Sequence, residues 1–136
     1  MDWRLETVVV PVADVDRAKE FYAERAGFHL DVDHSAGDDF RVVQLTPTGS
    51  GCSISLMRNE GAAGSLQGLQ VVVRDIDEAR RQLEEGGVAA SEVFHFEEGA
   101  QVPGPAPGRG DYETFLSFSD PDGNGWLVQE VPSRTS

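Results

Sequence analysis

The sequence predicts an α+β fold of two tandem β-α-β-β-β units, and two internal echoes carry that prediction. Val12-Ala13-Asp14-Val15-Asp16-Arg17-Ala18 returns as Val73-Arg74-Asp75-Ile76-Asp77-Glu78-Ala79, with a run of valines leading into each copy. Pro47-Thr48-Gly49-Ser50-Gly51 returns as Pro121-Asp122-Gly123-Asn124-Gly125, each ahead of a strand-like run. The offset grows from 61 residues between Asp14 and Asp75 to 74 between Pro47 and Pro121, so the second copy carries an insertion. Two matched stretches in the same order argue for a duplicated unit, which fixes the architecture before any single element.

In the first unit, Leu5 to Val12 is rich in β-branched residues and reads as a strand. Asp14 or Asp16 can cap the helix that follows, because a short carboxylate accepts hydrogen bonds from the first free amides. Val15, Ala18, Phe21 and Tyr22 then keep helical spacing, and Gly27 closes the helix. Phe28 to Val32, Phe40 to Leu45 and Cys52 to Met57 are strand-like runs between Gly, Asp and Pro turns. The second unit repeats the order. Leu69 to Val73 is a strand, Asp75 or Asp77 opens a helix with Ile76, Ala79 and Leu83 on one side, and Gly86-Gly87 ends it. Ser91 to Phe96, Thr114 to Ser119 and Trp126 to Val131 are the remaining strands. The expected boundaries are residues 4–58 and 66–132, with 59–65 as linker. The insertion, Glu97 to Glu113, is expected as a long loop, since three Pro and three Gly at its centre forbid a helix or an inner strand.

A length of 136 residues and a hydrophobic content of 39% suffice for one domain with a shared core. The formal charge of −13 argues against nucleic acid or an anionic membrane surface as partner, since both need a positive face. Cys52 is the only cysteine, which rules out a disulfide within the chain and suits a cytoplasmic location. The opening Met1-Asp2-Trp3-Arg4 starts no long apolar run, so neither a signal peptide nor a membrane span is expected.

The tandem units, the Val-x-Asp-(Val/Ile)-Asp-x-Ala stretch that opens each helix and the Asp-Pro-Asp-Gly-Asn turn together resemble the vicinal oxygen chelate superfamily. That group includes glyoxalase I, extradiol dioxygenases and bleomycin-resistance proteins. The resemblance runs from Leu5 to Val131, and Phe118 to Glu130 (FSDPDGNGWLVQE) is its most specific piece. It implies that each unit curls its strands into half a cup, with helices outside and a ligand on the concave side. It also implies a homodimer. Metal-using members place one ligand seven residues before the helix-opening Asp of each unit and a Glu four residues after the turn Gly. Here those places hold Thr7, Gly68, Leu127 and Ser53, or Ser55 in an alternative register. These residues supply neither imidazole nor carboxylate, so no metal or other cofactor is expected.

Nearby residues do not restore a metal site. Strand alternation sends Glu6 and Glu130 to the face opposite Thr7 and Leu127. His29, His34 and His95 show no metal spacing, and His34 lies among Asp31, Asp33, Asp38 and Asp39 in what reads as a solvated acidic turn. The candidates for contact with a ligand are Thr7, Ser53, Ser55, Gln70, Leu127 and Gln129 by alternation. His95 joins them as a strand neighbour of Phe94 and Phe96, Arg41 if its register turns it inward, and Tyr112, with Arg109, as loop residues that could close over the mouth. Trp126 should face the helices. This neutral wall suits a small organic molecule held by shape and a few hydrogen bonds. A lyase, isomerase or dioxygenase with an unusual site is the alternative, and a ligand-free interaction module is a third reading.

Overall fold

Asp14 and Asp75 cap the two helices in the same manner, which explains the first echo. In the computed structural model, which describes residues 1–37 and 40–134, the Asp14 side chain accepts from the Arg17 amide at 3.1 Å. Asp75 accepts from the amides of Asp77 and Glu78 at 3.0 and 3.2 Å. Each cap satisfies donors that the first helical turn leaves without a partner. Helix α1 spans Val15–Glu20 and runs into a π-helical turn, Phe21–Arg25. That extra residue per turn buries Phe21 beside Tyr22, with the rings edge to face at 5.0 Å. Helix α2 spans Ile76–Glu85 and ends where Gly87 takes a positive φ.

The chain divides into two compact units, residues 1–66 with 120–124, and residues 67–119 with 125–136. The first holds β1 (Thr7–Val12), β2 (His29–Ser35), β3 (Arg41–Thr46) and β4 (Ser53–Arg58) in the order β1-β4-β3-β2. The second holds β5 (Leu69–Val73), β6 (Phe94–Glu97), β7 (Ala100–Pro103), β8 (Thr114–Ser119) and β9 (Gly125–Glu130) in the order β5-β9-β8-β6-β7. The first and last strands pair in parallel in each unit, β1 with β4 and β5 with β9, and the other pairings are antiparallel. Two mixed sheets with few helices, neither closed into a barrel, are the β-α-β-β-β architecture twice over. No helix among the described residues is long and apolar enough to cross a membrane.

Two details differ from the sequence reading. The insertion contains a strand: β6 and β7 form a hairpin around Glu98 and Gly99, both at positive φ (51° and 81°), the requirement of a tight two-residue turn. β7 lies at the sheet edge and stops at Pro103, the position where proline does least harm. The stretch around His34 is the strand β2 rather than a turn; Asp38 and Asp39 lie outside the described residues.

The second echo is structural in a different sense. The Asp120–Asn124 turn, though it joins two strands of the second unit, belongs to the first. There the Asp120 carboxylate receives the Tyr22 hydroxyl at 2.8 Å, the Asn124 side-chain amide at 2.9 Å, and the amides of Asp122 and Asn124, both at 2.9 Å. Asn124 in turn donates to the Pro11 carbonyl at 2.9 Å and accepts from the Leu66 amide at 3.1 Å. Asp120 and Asn124 are buried, so every one of these bonds replaces water that the groups have lost.

Candidate functional site

Each sheet buries one face under its helix and leaves the other without a helical cover. In the second unit, the buried Leu116, Val128 and Glu130 alternate with the half-buried Phe115, Ser117, Leu127 and Gln129. Register sets Gln70 opposite Leu127, Val72 opposite Gln129, and Phe115 opposite Gln129 on the helix-free face. Gln70 and Gln129 therefore share that face on adjoining strands. Phe94 lies opposite Phe115, and Phe96 follows on the same side. The three rings form one cluster: Phe94 and Phe115 stack at 5.8 Å, while Phe96 meets Phe94 and Phe115 edge to face at 5.7 and 5.4 Å. Phe96 remains 50% exposed, so this aromatic wall is built but not covered within its own unit. Trp126 takes the opposite, helix-side face, buried and stacked on Phe118 at 5.8 Å.

Register also turns His95 away from that wall. It pairs with Thr114, on the face opposite Phe94 and Phe96. Its Nδ1 lies 2.7 Å from the Gly104 carbonyl and its Nε2 3.0 Å from Glu97. Both contacts favour the imidazolium, so the Gly104 carbonyl first and Glu97 second raise the His95 pKa above its ordinary value. Sequence alternation could not reveal this, because it places neighbours on opposite faces without saying which face is open. His95 still borders a pocket of about 580 Å³ at the overhanging end of the β6–β7 hairpin, together with Phe96, Glu97, Tyr112, Glu113 and Phe115.

The loop that follows is fastened rather than free. Arg109 donates to the buried Glu130 carboxylate from Nη2 at 2.7 Å and from Nε at 3.2 Å, and from Nη1 to Asp77 at 3.0 Å. Glu130 also accepts from the Ile76 amide at 2.9 Å, at the start of α2. Tyr112 donates its amide to the Glu130 carbonyl, and its own carbonyl accepts from Gln129 at 3.3 Å. Asp111 accepts from the Ser133 hydroxyl and amide, and these bonds, the hydroxyl's first, lower its pKa. Arg109 is thus committed to the fold and is not poised over a ligand.

In the first unit Thr7, Val9, Ser53, Ser55, Gln44 and Thr46 share the helix-free face. Arg41 does not join them. It lies on the helix side, where its guanidinium grips Asp33 at 2.9 and 3.0 Å and Asp16 of α1 at 2.7 Å. Arg41, then Lys19, hold the Asp33 carboxyl well below the usual carboxylate range. The hydroxyls of the helix-free face, buried at Ser53 and Ser55, are mutually bonded: Thr7 to Ser55 at 2.8 Å, and Ser53 to Thr46 at 2.6 Å. Thr46 donates to Asp31, so it must accept from Ser53, which then keeps only lone pairs to offer a ligand.

The positions where metal-using relatives hold an ion do not fit one. In the first unit they present hydroxyls that bond to each other, and in the second a glycine at φ +82°, Gly68, and the apolar Leu127. Among the described residues no three His, Cys, Asp or Glu side chains converge as a metal would require.

The fold and these helix-free faces define the class, and comparison with known proteins names it. Residues 4–128 match the profile of the Glyoxalase/Bleomycin resistance protein/Dioxygenase superfamily, and the chain belongs to that family. It is similar to TnmS3, an antibiotic binding protein from Streptomyces sp. CB03234, with 30% identity, a TM-score of 0.74, and coverage of 96% of this chain and 97% of that one. A glyoxalase/bleomycin resistance protein from the same Streptomyces is 32% identical, with a TM-score of 0.68 and coverage of 93% and 100%. The uncharacterized protein YetH of Bacillus subtilis (strain 168) is 26% identical over 127 residues, 93% of this chain and 98% of that protein.

Proposed function

We propose that this protein binds a small organic molecule of the antibiotic kind on the helix-free face of its second unit, without a metal ion. The observation that carries this reading is the aromatic cluster of Phe94, Phe96 and Phe115, buried at Phe94, half-buried at Phe115 and exposed at Phe96, beside Gln129 and Gln70. Rings offer apolar area to a flat ligand, and two amides offer directional hydrogen bonds, the usual composition of a small-molecule site. The similarity to an antibiotic binding protein supports the same reading.

The test is a thermal-shift screen over an antibiotic panel, followed by calorimetry. A ligand present at about 100 times its dissociation constant should add about 2.7 kcal/mol of stability. Gln70→Leu and Gln129→Leu should each weaken binding by about 1–3 kcal/mol while leaving the melting temperature of the free protein nearly unchanged. Binding should survive a chelator, and elemental analysis should find no stoichiometric divalent metal. A panel that leaves the melting temperature unmoved, or binding that vanishes with chelator, would overturn the reading.

The same exposed faces support a two-fold homodimer. Val9 and Val72 remain 55% and 38% exposed on them, and exposed apolar surface favours association with a second copy. Light scattering should give about twice the chain mass of 14.7 kDa; a monomer at all micromolar concentrations would refute the dimer.

A further inference from the structure

The pocket at the end of the β6–β7 hairpin combines two kinds of group that have no structural need of each other. Phe96, Phe115 and Tyr112 line it with ring surface, and Phe96 and Tyr112 are each about half exposed, at 50% and 53%. Phe96 and Phe115 meet at 67°, so their faces form a corner rather than a flat stack. Glu97 and Glu113 stand in the same lining. Each carboxylate is steadied through one oxygen: Glu97 Oε1 by His95 Nε2 at 3.0 Å, and Glu113 Oε2 by the Gly110 amide at 3.0 Å. That leaves Oε2 of Glu97 and Oε1 of Glu113 without a hydrogen-bond partner among the described residues.

We propose that this pocket takes the positively charged end of the small molecule, an ammonium, amidinium or ring-nitrogen cation, between Glu97 and Glu113, with the apolar body against Phe96 and Phe115. The inference rests on the reading that the second unit binds a small molecule, and adds its charge. Ring faces carry negative quadrupole density and attract a cation that carboxylates also attract, whereas an anion is repelled by both. The basic groups nearby are already engaged. His95 is held by Glu97 and the Gly104 carbonyl. Arg109 is held by Glu130 and Asp77. Arg134 bonds the Tyr112 hydroxyl at 3.3 Å and acts on Asp111. The chain's net charge of −13 acts in the same direction at longer range.

The experiment compares three flat tricyclic fluorophores of matched size with the full-length protein: N-methylacridinium, acridine at a mildly alkaline pH where it is neutral, and anthracene carboxylate. N-methylacridinium should bind about tenfold or more tightly than acridine, and anthracene carboxylate should be weakest. Glu97→Gln with Glu113→Gln should bring the cation to the level of acridine without changing acridine itself. Phe96→Ala should weaken both. Glu24→Gln, a charge removed from the first unit, should change neither. Acridine binding as tightly as the cation would overturn the charge assignment and leave small-molecule binding standing. Cation binding unaffected by the Glu97 and Glu113 changes would also overturn it, by showing attraction to the acidic surface at large. Binding of none of the three, with no hit in the antibiotic panel, would remove both readings together.

Discussion

Asp120→Ala should lower the unfolding free energy by about 3–5 kcal/mol, more than a surface substitution of the same size can. The reason is the number of donors left behind. The carboxylate takes two backbone amides on Oδ1, and the Tyr22 hydroxyl and the Asn124 side chain on Oδ2. Tyr22 is fully buried and Asp120 is 5% exposed, so water cannot replace the lost acceptor without opening the core. Asp120→Asn should fall between, because its new NH2 group would confront the donor of Asn124. Tyr22→Phe removes one donor along with the need for it, and should cost about 1 kcal/mol. Gly64→Ala should be damaging for a related reason: its φ is +82°, and a Cβ there would lie 2.2 Å from the Asp122 carbonyl oxygen. Urea titration measures these differences through the midpoint at constant slope. An Asp120→Ala midpoint within about 0.5 kcal/mol of the parent would show that the network is not what holds the turn.

That network also shows what the sequence discloses and what it hides. The duplication was legible because local chemistry repeats: an Asp caps each helix, and valines precede it in each copy. The last strand and the turn before it were legible as a family motif, but not the turn's membership of the first unit, which depends on contacts far apart in sequence. Alternation correctly grouped Thr7 with Ser53 and Ser55, and Gln70 with Leu127 and Gln129, because period-two patterns survive folding. It left His95 and Arg41 undecided, because alternation does not say which face is open: the phenylalanines beside His95 take the helix-free face, and the register of Arg41 follows Val43 and Leu45 to the helix side. The strand β7 was hidden because Pro and Gly nearby read as loop, although an edge strand tolerates both. The Phe94–Phe96–Phe115 cluster lay in plain sight as an i, i+2 pair on one strand. Only the pairing of β6 with β8 brings Phe115 to it.

Arg109→Ala is expected to cost about 3 kcal/mol, although Arg109 lies in a loop rich in Pro and Gly, where substitutions are ordinarily mild. The expectation comes from its partner. The side chain of Glu130 is 3% exposed, and without the guanidinium its charge would keep only the Ile76 amide. A buried carboxylate stripped of its counter-ion is far more costly than a surface pair that is lost. Asp77 serves as the contrast: its side chain is 65% exposed, and Asp77→Ala removes only the outer bond to Arg109, which should cost less than about 1 kcal/mol. Arg109→Lys keeps the charge but not the two-pronged grip, and should lie between the two. Deleting the Pro-Gly run should therefore destabilise the fold as Arg109→Ala does, against the simpler expectation that a surface loop can be shortened freely. The consequence reaches the site, because the same anchor sets the path of Tyr112 and Glu113 into the pocket. Arg109→Ala should thus weaken N-methylacridinium binding even at temperatures where the protein remains folded, while Asp77→Ala should not. Equal stability of Arg109→Ala and Asp77→Ala would mean that the Glu130 charge is solvated some other way, and the loop would then be the free lid its composition suggests.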